Sequence, residues 1–108
     1  MPKTTTANDG VPGPVFYKRL QCLASMPSSR PYTGPIDGVM GPNSWMGAQA
    51  RLAVGGYYWL PSLEGYENPY VIMALKHWAN DHGYNLPLNS QWTGSSYAAV
   101  ANVLNQSF

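Results

Sequence analysis

Apolar side chains recur at helical spacing in four stretches of the chain. Phe16, Leu20 and Leu23 fall at i, i+4, i+7, and Trp45, Ala48 and Leu52 at i, i+3, i+7. Val71, Leu75 and Trp78 repeat the first spacing, and Tyr97, Val100 and Leu104 the second. Such spacing lines apolar groups along one face of an α-helix. It predicts helices over 14–25, 42–54, 69–82 and 94–105. The flanking residues agree. Pro14, Pro42 and Pro69 suit a first helical position, where the missing N–H would have had no partner anyway. Gly13, Gly41 and Asn68 precede them at the cap, and Thr93 or Ser95 caps the last helix. Gly55-Gly56 and Gly83 follow the second and third helices as C-terminal glycines do, and Pro27 stops the first.

The segments between the helices repeat. Tyr32-Thr33-Gly34-Pro35 returns as Tyr58-Trp59-Leu60-Pro61 and as Tyr84-Asn85-Leu86-Pro87, 26 residues apart each time. An apolar residue follows each proline (Ile36, Leu63 after one inserted residue, and Leu88), and then comes a turn. Its clearest copy is Asp37-Gly38-Val39-Met40-Gly41-Pro42, related to Asp9-Gly10-Val11-Pro12-Gly13-Pro14. Glu64-Gly65-Tyr66-Glu67-Asn68-Pro69 and Asn89-Ser90-Gln91-Trp92-Thr93-Gly94 are more divergent copies. One such unit cannot bury its own apolar stripe, and stacked units can. The expected fold is therefore all-α: a small helical bundle of four turn-helix repeats joined by extended segments. The repeats run over approximately 8–27, 32–55, 58–82 and 84–106, in a single domain over 8–108. Residues 1–7 read as a polar N-terminal arm or linker, and the first repeat has no Tyr-x-x-Pro segment before Asp9.

Composition narrows the function. Only 10% of the 108 residues are charged, and the net charge is +1. That is far from the basic balance of a nucleic-acid module. No apolar stretch reaches the length of a membrane span. The N-terminus has no apolar core, so no secretory signal is read there; the expectation is synthesis in the cytoplasm and delivery by other means. The lone Cys22 forms no internal disulfide and no cysteine-rich zinc site. His77 and His82 are five apart, off the shared face that a helical two-histidine metal site uses. No metal and no cofactor are expected. The five carboxylates scatter over turns, without the paired arrangement of a glycosidase. The chain reads as non-catalytic. A small hydrolase working through Asp37 or Cys22 is the enzymatic alternative.

One string goes further. Tyr32-x-Gly34-Pro35-Ile36-Asp37-Gly38-x-x-Gly41-Pro42-Asn43-Ser44-Trp45, followed by Gln49, resembles a peptidoglycan-binding-type repeat of actinobacterial and actinophage cell-wall hydrolases. The first repeat is similar from Asp9 through Gln21, with Val15-Phe16-Tyr17 in place of the Asn-Ser-Trp string. The resemblance is strong over residues 8–53 and weaker beyond. It implies a small helical module that holds a lytic enzyme on the bacterial wall, with peptidoglycan or a related wall polymer and a catalytic lysin domain as partners. The divergence of the later repeats leaves room for reuse of the fold in a phage virion structural or assembly protein.

Asp9 and Asp37 head turns, where an aspartate bonds local backbone N–H groups; Asp37 can alternatively face a ligand. Tyr17, Trp45, Ile72 and Tyr97 occupy equivalent helical positions and read as core. Asn43 and Ser44 lie in a first helical turn, whose N–H groups they can satisfy or share with an anionic ligand. Tyr57, Trp59, Tyr66 and Trp92 lie off the helical stripes and offer flat faces for sugar stacking, while Tyr58 reads as core. The candidate ligand set is Asp37, Asn43, Ser44, Tyr57, Trp59, Tyr66 and Trp92.

Overall fold

The computed structural model describes residues 3, 6–59 and 62–108. They form a single-turn helix α1 (Thr6–Asp9) and four longer ones: α2 (Pro14–Ala24), α3 (Pro42–Val54), α4 (Pro69–Asn80) and α5 (Gly94–Ser107). The fold is all-α, with no strand among the described residues. Each long helix starts where its capping chemistry dictates. Asn68 Oδ1 accepts the Val71 N–H at 2.8 Å, and Thr93 Oγ1 accepts the Ser96 N–H at 3.2 Å. Gly13 and Gly41 cap through the backbone alone. Helix α4 ends at Asn80, two residues short of the sequence expectation. There the chain turns, with His82 N–H on the Ala79 carbonyl at 2.9 Å and Gly83 at φ +105°.

The four long helices close into a ring: α2 packs on α3, α3 on α4, α4 on α5, and α5 back on α2. All four begin at one end. The proof lies in close backbone approaches at the turns, where a Cβ on the glycine would collide with the start of a neighbouring helix. A Cβ on Gly38 would sit 3.0 Å from the Pro14 carbonyl oxygen, and one on Gly65 2.9 Å from Pro42. A Cβ on Gly10 would sit 2.8 Å from the Gly94 backbone. The second and third turns thus rest on the first residue of the helix one repeat earlier, and the first turn rests on the last helix. The opposite ends of all four helices surround one cavity, lined among others by Leu23, Leu52, Trp78 and Phe108.

A buried polar side chain locks each turn. Gln21, fully buried on α2, accepts the N–H groups of Asp37 (3.0 Å) and Gly38 (2.9 Å) and donates to the Val39 carbonyl (2.9 Å). Gln49, one repeat on, accepts the Glu64 N–H (2.7 Å) and donates to the Tyr66 carbonyl (3.0 Å). Lys76 takes the same role on α4 and donates to the Gln91 carbonyl and to Asn89 Oδ1. Helix α5 has Ala101 at that position. The first turn is held instead by Thr6, whose buried hydroxyl donates to the Val11 carbonyl at 2.8 Å. Thr6 therefore belongs to α1 and to the interior. The expected boundary of a polar arm at residue 7 falls inside a helix packed on α5.

Asp9, Asp37 and Asn89 close their own turns in the same way, each accepting the N–H two residues on at 2.9–3.1 Å. Glu64 is too long for that bond. The Glu64 carbonyl accepts the Tyr66 N–H in its place (2.8 Å), and the carboxylate turns to Asn68 Nδ2 (2.8 Å). The divergent third and fourth copies thus keep the architecture.

The interior is filled by the predicted stripes: Phe16, Leu20, Leu23, Leu52, Val71, Leu75, Val100 and Leu104 are almost inaccessible. Buried Tyr58 joins them, its hydroxyl accepting from Asn68 Nδ2 at 2.9 Å. Arg19 is buried too, and donates to the Leu104 carbonyl and the Phe108 main-chain oxygen. A guanidinium suits that place, because the carbonyls at the C-terminal end of α5 carry negative dipole.

Lys76 is the imperfect lock. An ammonium has no acceptor, so it cannot take turn N–H groups as the glutamines do; the Asn89 N–H bonds the Pro87 carbonyl instead (3.0 Å). Burial also pushes its pKa below the ordinary lysine range. Lys76→Gln is therefore expected to leave stability unchanged or to raise it by about 1 kcal/mol, the net worth of one extra hydrogen bond. Lys76→Ala is expected to lower it by about 2 kcal/mol, because the Gln91 carbonyl loses its donor. Urea unfolding of both variants checks the order; glutamine faring as badly as alanine would refute it.

Candidate functional site

The turn end of the ring carries a cleft of about 370 Å³. Tyr17, Gly38, Val39, Met40, Trp45 and Glu67 line it. The repeat explains how they converge. Tyr17 and Trp45 are the same position in α2 and α3, one helical turn in from the N-terminus, and Tyr97 is that position in α5. Met40 and Glu67 precede the helix caps of their repeats, and Trp92 does so in the fourth. The scaffold positions (the turn aspartates, the close-approach glycines and the locking glutamines) leave these as the side chains free to vary at the mouth.

The aromatic groups are ordered against one another. Trp92 stacks on Tyr97 with ring centroids 4.2 Å apart and planes 9° from parallel. Phe16 meets Tyr97 and Tyr17 edge-on at 5.8 and 5.3 Å. Trp92 Nε1–H points at Glu67 Oε2 across 3.4 Å, a long contact. Glu67 as a residue is exposed, but its carboxyl group is partly desolvated, which pushes its pKa above the ordinary glutamate range; the Trp92 contact offsets this in part. Its charge acts in turn on the phenols. Tyr17 is raised, mainly by burial and then by Glu67. Tyr97 is pushed up to about 12 by burial, with Tyr17 and Glu67 adding. Both phenols stay neutral at physiological pH. The cleft is an aromatic cup with one carboxylate, and no cation pairs with it among the described residues.

That carboxylate works against the fold. A glutamate whose folded pKa lies above its unfolded one stabilises the protein below the unfolded pKa. The contribution is lost as pH rises through the folded pKa. Glu67→Gln is therefore expected to raise the melting temperature at neutral pH and to leave it unchanged at acid pH, where the native side chain is protonated in both states. A neutral-pH melting temperature lower than that of the wild type would show that the charge supports the fold.

The sequence candidates do not form one site. Trp92 joins the cup at the turn end. Tyr66 is exposed in the third turn (56%), and its carbonyl is the one Gln49 holds. Asp37 is exposed in the second turn, beside the cleft residues Gly38 and Val39. Its carboxyl is held below the usual range by the Val39 N–H, then by Gln21. Ser44 does not face a ligand: it is buried, and its hydroxyl accepts from Gln21 Nε2 at 3.3 Å. Asn43 is exposed at a separate groove, contacting Arg30 Nη2 at 3.4 Å. Tyr57 is at the far end, where its hydroxyl donates to Asp81 Oδ2 at 2.5 Å and its ring meets His77 edge-on. Trp59 is exposed (61%) and lines none of these cavities. Leu60 and Pro61 of the second Tyr-x-x-Pro segment lie outside the described residues.

Sequence reading missed Met40 and Glu67 and placed Tyr17 and Trp45 in the core. Trp45 is indeed buried, with 9% of its surface exposed, yet it lines the cleft, and Tyr17 is only half-buried. The signal was present in the aligned repeats. Where the other copies carry Pro12, Met40 and Trp92, the third carries a carboxylate.

Elsewhere, His82 Nδ1 contacts the Trp78 carbonyl at 2.8 Å, and Cys22 is half-buried and free. Among the described residues, no three His, Cys, Asp or Glu side chains come together in a way that could hold a metal ion. No helix among them is long and apolar enough to cross a membrane. The fold and cleft define a closed ring of four turn-helix repeats with an aromatic cleft at the turn end. No family model matches this sequence, and no curated protein or solved structure is significantly similar to it.

Proposed function

We propose that this chain is a non-catalytic module that binds the bacterial cell wall and so holds a lytic enzyme on it. The observation that carries the reading is the division of labour within the repeat. Nearly every polar group of the peptidoglycan-binding-type string is consumed in the scaffold: Asp37 in its turn, Gln21 and Gln49 in the locks, Ser44 in the interior. What the scaffold presents is an aromatic cup, and stacked indole and phenol rings suit the apolar faces of sugars and short peptides. Three of the five carboxylates are engaged within or beside turns (Asp9, Asp37, Glu64) and Asp81 accepts from Tyr57. That leaves Glu67 without the second carboxylate that glycoside hydrolysis requires.

Co-sedimentation with purified actinobacterial sacculi tests the proposal. The chain is expected in the pellet, and soluble muropeptides are expected to release it. A chain that stays in the supernatant while an established wall binder pellets would remove the reading.

A further inference from the structure

The cleft at the turn end has a chemical signature of its own. Tyr17 and Trp45 line it with the polarisable Met40, and the Trp92–Tyr97 stack lies next to it through the contact of Trp92 with Glu67. Its one charged group is the Glu67 carboxylate, which accepts a long contact from Trp92 Nε1–H. Aromatic faces attract cations through the ring quadrupole, and a partly desolvated carboxylate gains most from a cation that hydrogen-bonds to it. A neutral sugar can lay its C–H face on the rings and donate hydroxyls to the carboxylate, but it brings no charge to offset that of Glu67. The N-termini of α2, α3 and α4 nearby carry only partial positive charge that fades within a turn. The full negative charges of Glu67 and, on the adjoining turn, Asp37 outweigh it, although Lys18 faces Asp37.

We propose that the cleft between Tyr17, Trp45, Met40 and Glu67 is a binding site for an alkylammonium group, with Glu67 as its counter-ion. Resting on the wall-binding reading, this names the recognised element: the free side-chain amine of the diamino acid in the stem peptide, rather than the glycan. The ammonium donates hydrogen bonds to Glu67, and its methylene stem lies along Trp45 and Tyr17. The charge of Glu67, unfavourable in the empty cleft, is the feature the ligand compensates.

Nα-acetyl-lysine amide and its Nε-acetylated counterpart differ only at the side-chain nitrogen, a charged ammonium in one and a neutral, bulkier amide in the other, so the site is tested by an NMR titration with both. The charged compound is expected to shift the backbone signals of Gly38 and Val39 and the indole N–H signals of Trp45 and Trp92 saturably, and the neutral one to leave them in place. Glu67→Gln, expected to be fully folded and more stable at neutral pH, should weaken binding about tenfold or more, the loss of one hydrogen bond to a charged group. Equal shifts from both compounds, shifts from neither, or unchanged affinity in Glu67→Gln would each overturn the site. Sacculi whose amines have been acetylated separate this inference from the broader one. Retention on native but not on acetylated sacculi supports both. Equal retention on the two leaves wall binding standing and removes the amine as its target. No retention on either removes wall binding, and the lysine-amide titration still decides the cleft.

Discussion

Gln21→Ala should cost about 2–4 kcal/mol of unfolding free energy. The side chain is fully buried and satisfies the Asp37 and Gly38 N–H groups and the Val39 carbonyl, with further contacts to Asp37 Oδ1 and Ser44 Oγ. Each backbone group left without a partner costs about 1–3 kcal/mol when water cannot replace it, and the turn is open enough for water to recover part of that. For a domain of this size the melting temperature should fall by roughly 10–25 °C. Gln21→Met separates the lock from mere volume. Methionine fills the space but offers no amide, so it should lose nearly as much as alanine. Asp37→Ala removes the single bond to the Val39 N–H and one contact to Gln21, and should cost only about 1 kcal/mol. Thermal unfolding of the three variants checks the ranking, and a methionine variant as stable as the wild type would refute the lock.

Gly10→Ala should cost about 2–4 kcal/mol and open the ring at one seam. Gly10 adopts φ +69°, where a Cβ costs about 1–2 kcal/mol. The new methyl would also meet the Cα and carbonyl oxygen of Gly94 at 2.8 Å, and that is backbone, which cannot rotate away. Overpacking of this kind costs a further 1–3 kcal/mol or so. The first turn and α1 should then lift from α5, exposing Thr6 and the start of the last helix. Hydrogen exchange should quicken at Gly10, whose N–H bonds the Thr6 carbonyl, and at Tyr97 in the first turn of α5, while the α3–α4 contact keeps its protection. Uniform acceleration across the molecule would mean that the seam is not a separate element.

Much of the fold was legible because helices are local. The stripe Phe16, Leu20, Leu23 and its three counterparts depend on spacing alone, and the prolines and caps mark ends through groups within a few residues. The Asp-Gly turns were legible for the same reason, since an aspartate reaches the N–H two residues on without any tertiary partner. The locks were not. Gln21 holds a turn 16 residues away, and nothing at short range distinguishes it from a solvated glutamine. Lys76 and Arg19 are harder still, because a buried cation contradicts the ordinary preference of its side chain and is explained only by carbonyl groups that other segments bring to it.

The candidate site was legible in kind and scattered in place. Aromatic residues outside the stripes were the right class of group, and Trp92 is one of them. But Tyr57 and Trp92, alike in sequence context, end at opposite ends of the ring, because the extended segments and the turns lie at different heights along the helices. Ser44 looked free in its helical turn and is enclosed by Gln21 from the neighbouring repeat.

By itself, then, the order of residues determined four helices, where each starts and the 26-residue unit, since each follows from interactions spanning a turn or two of chain. Only the packed molecule decided that the units close on themselves and that Tyr17, Trp45, Met40 and Glu67 share one cleft. Those outcomes depend on backbones from distant repeats meeting within van der Waals distance, as Gly10 meets Gly94, and no short-range pattern encodes such a meeting.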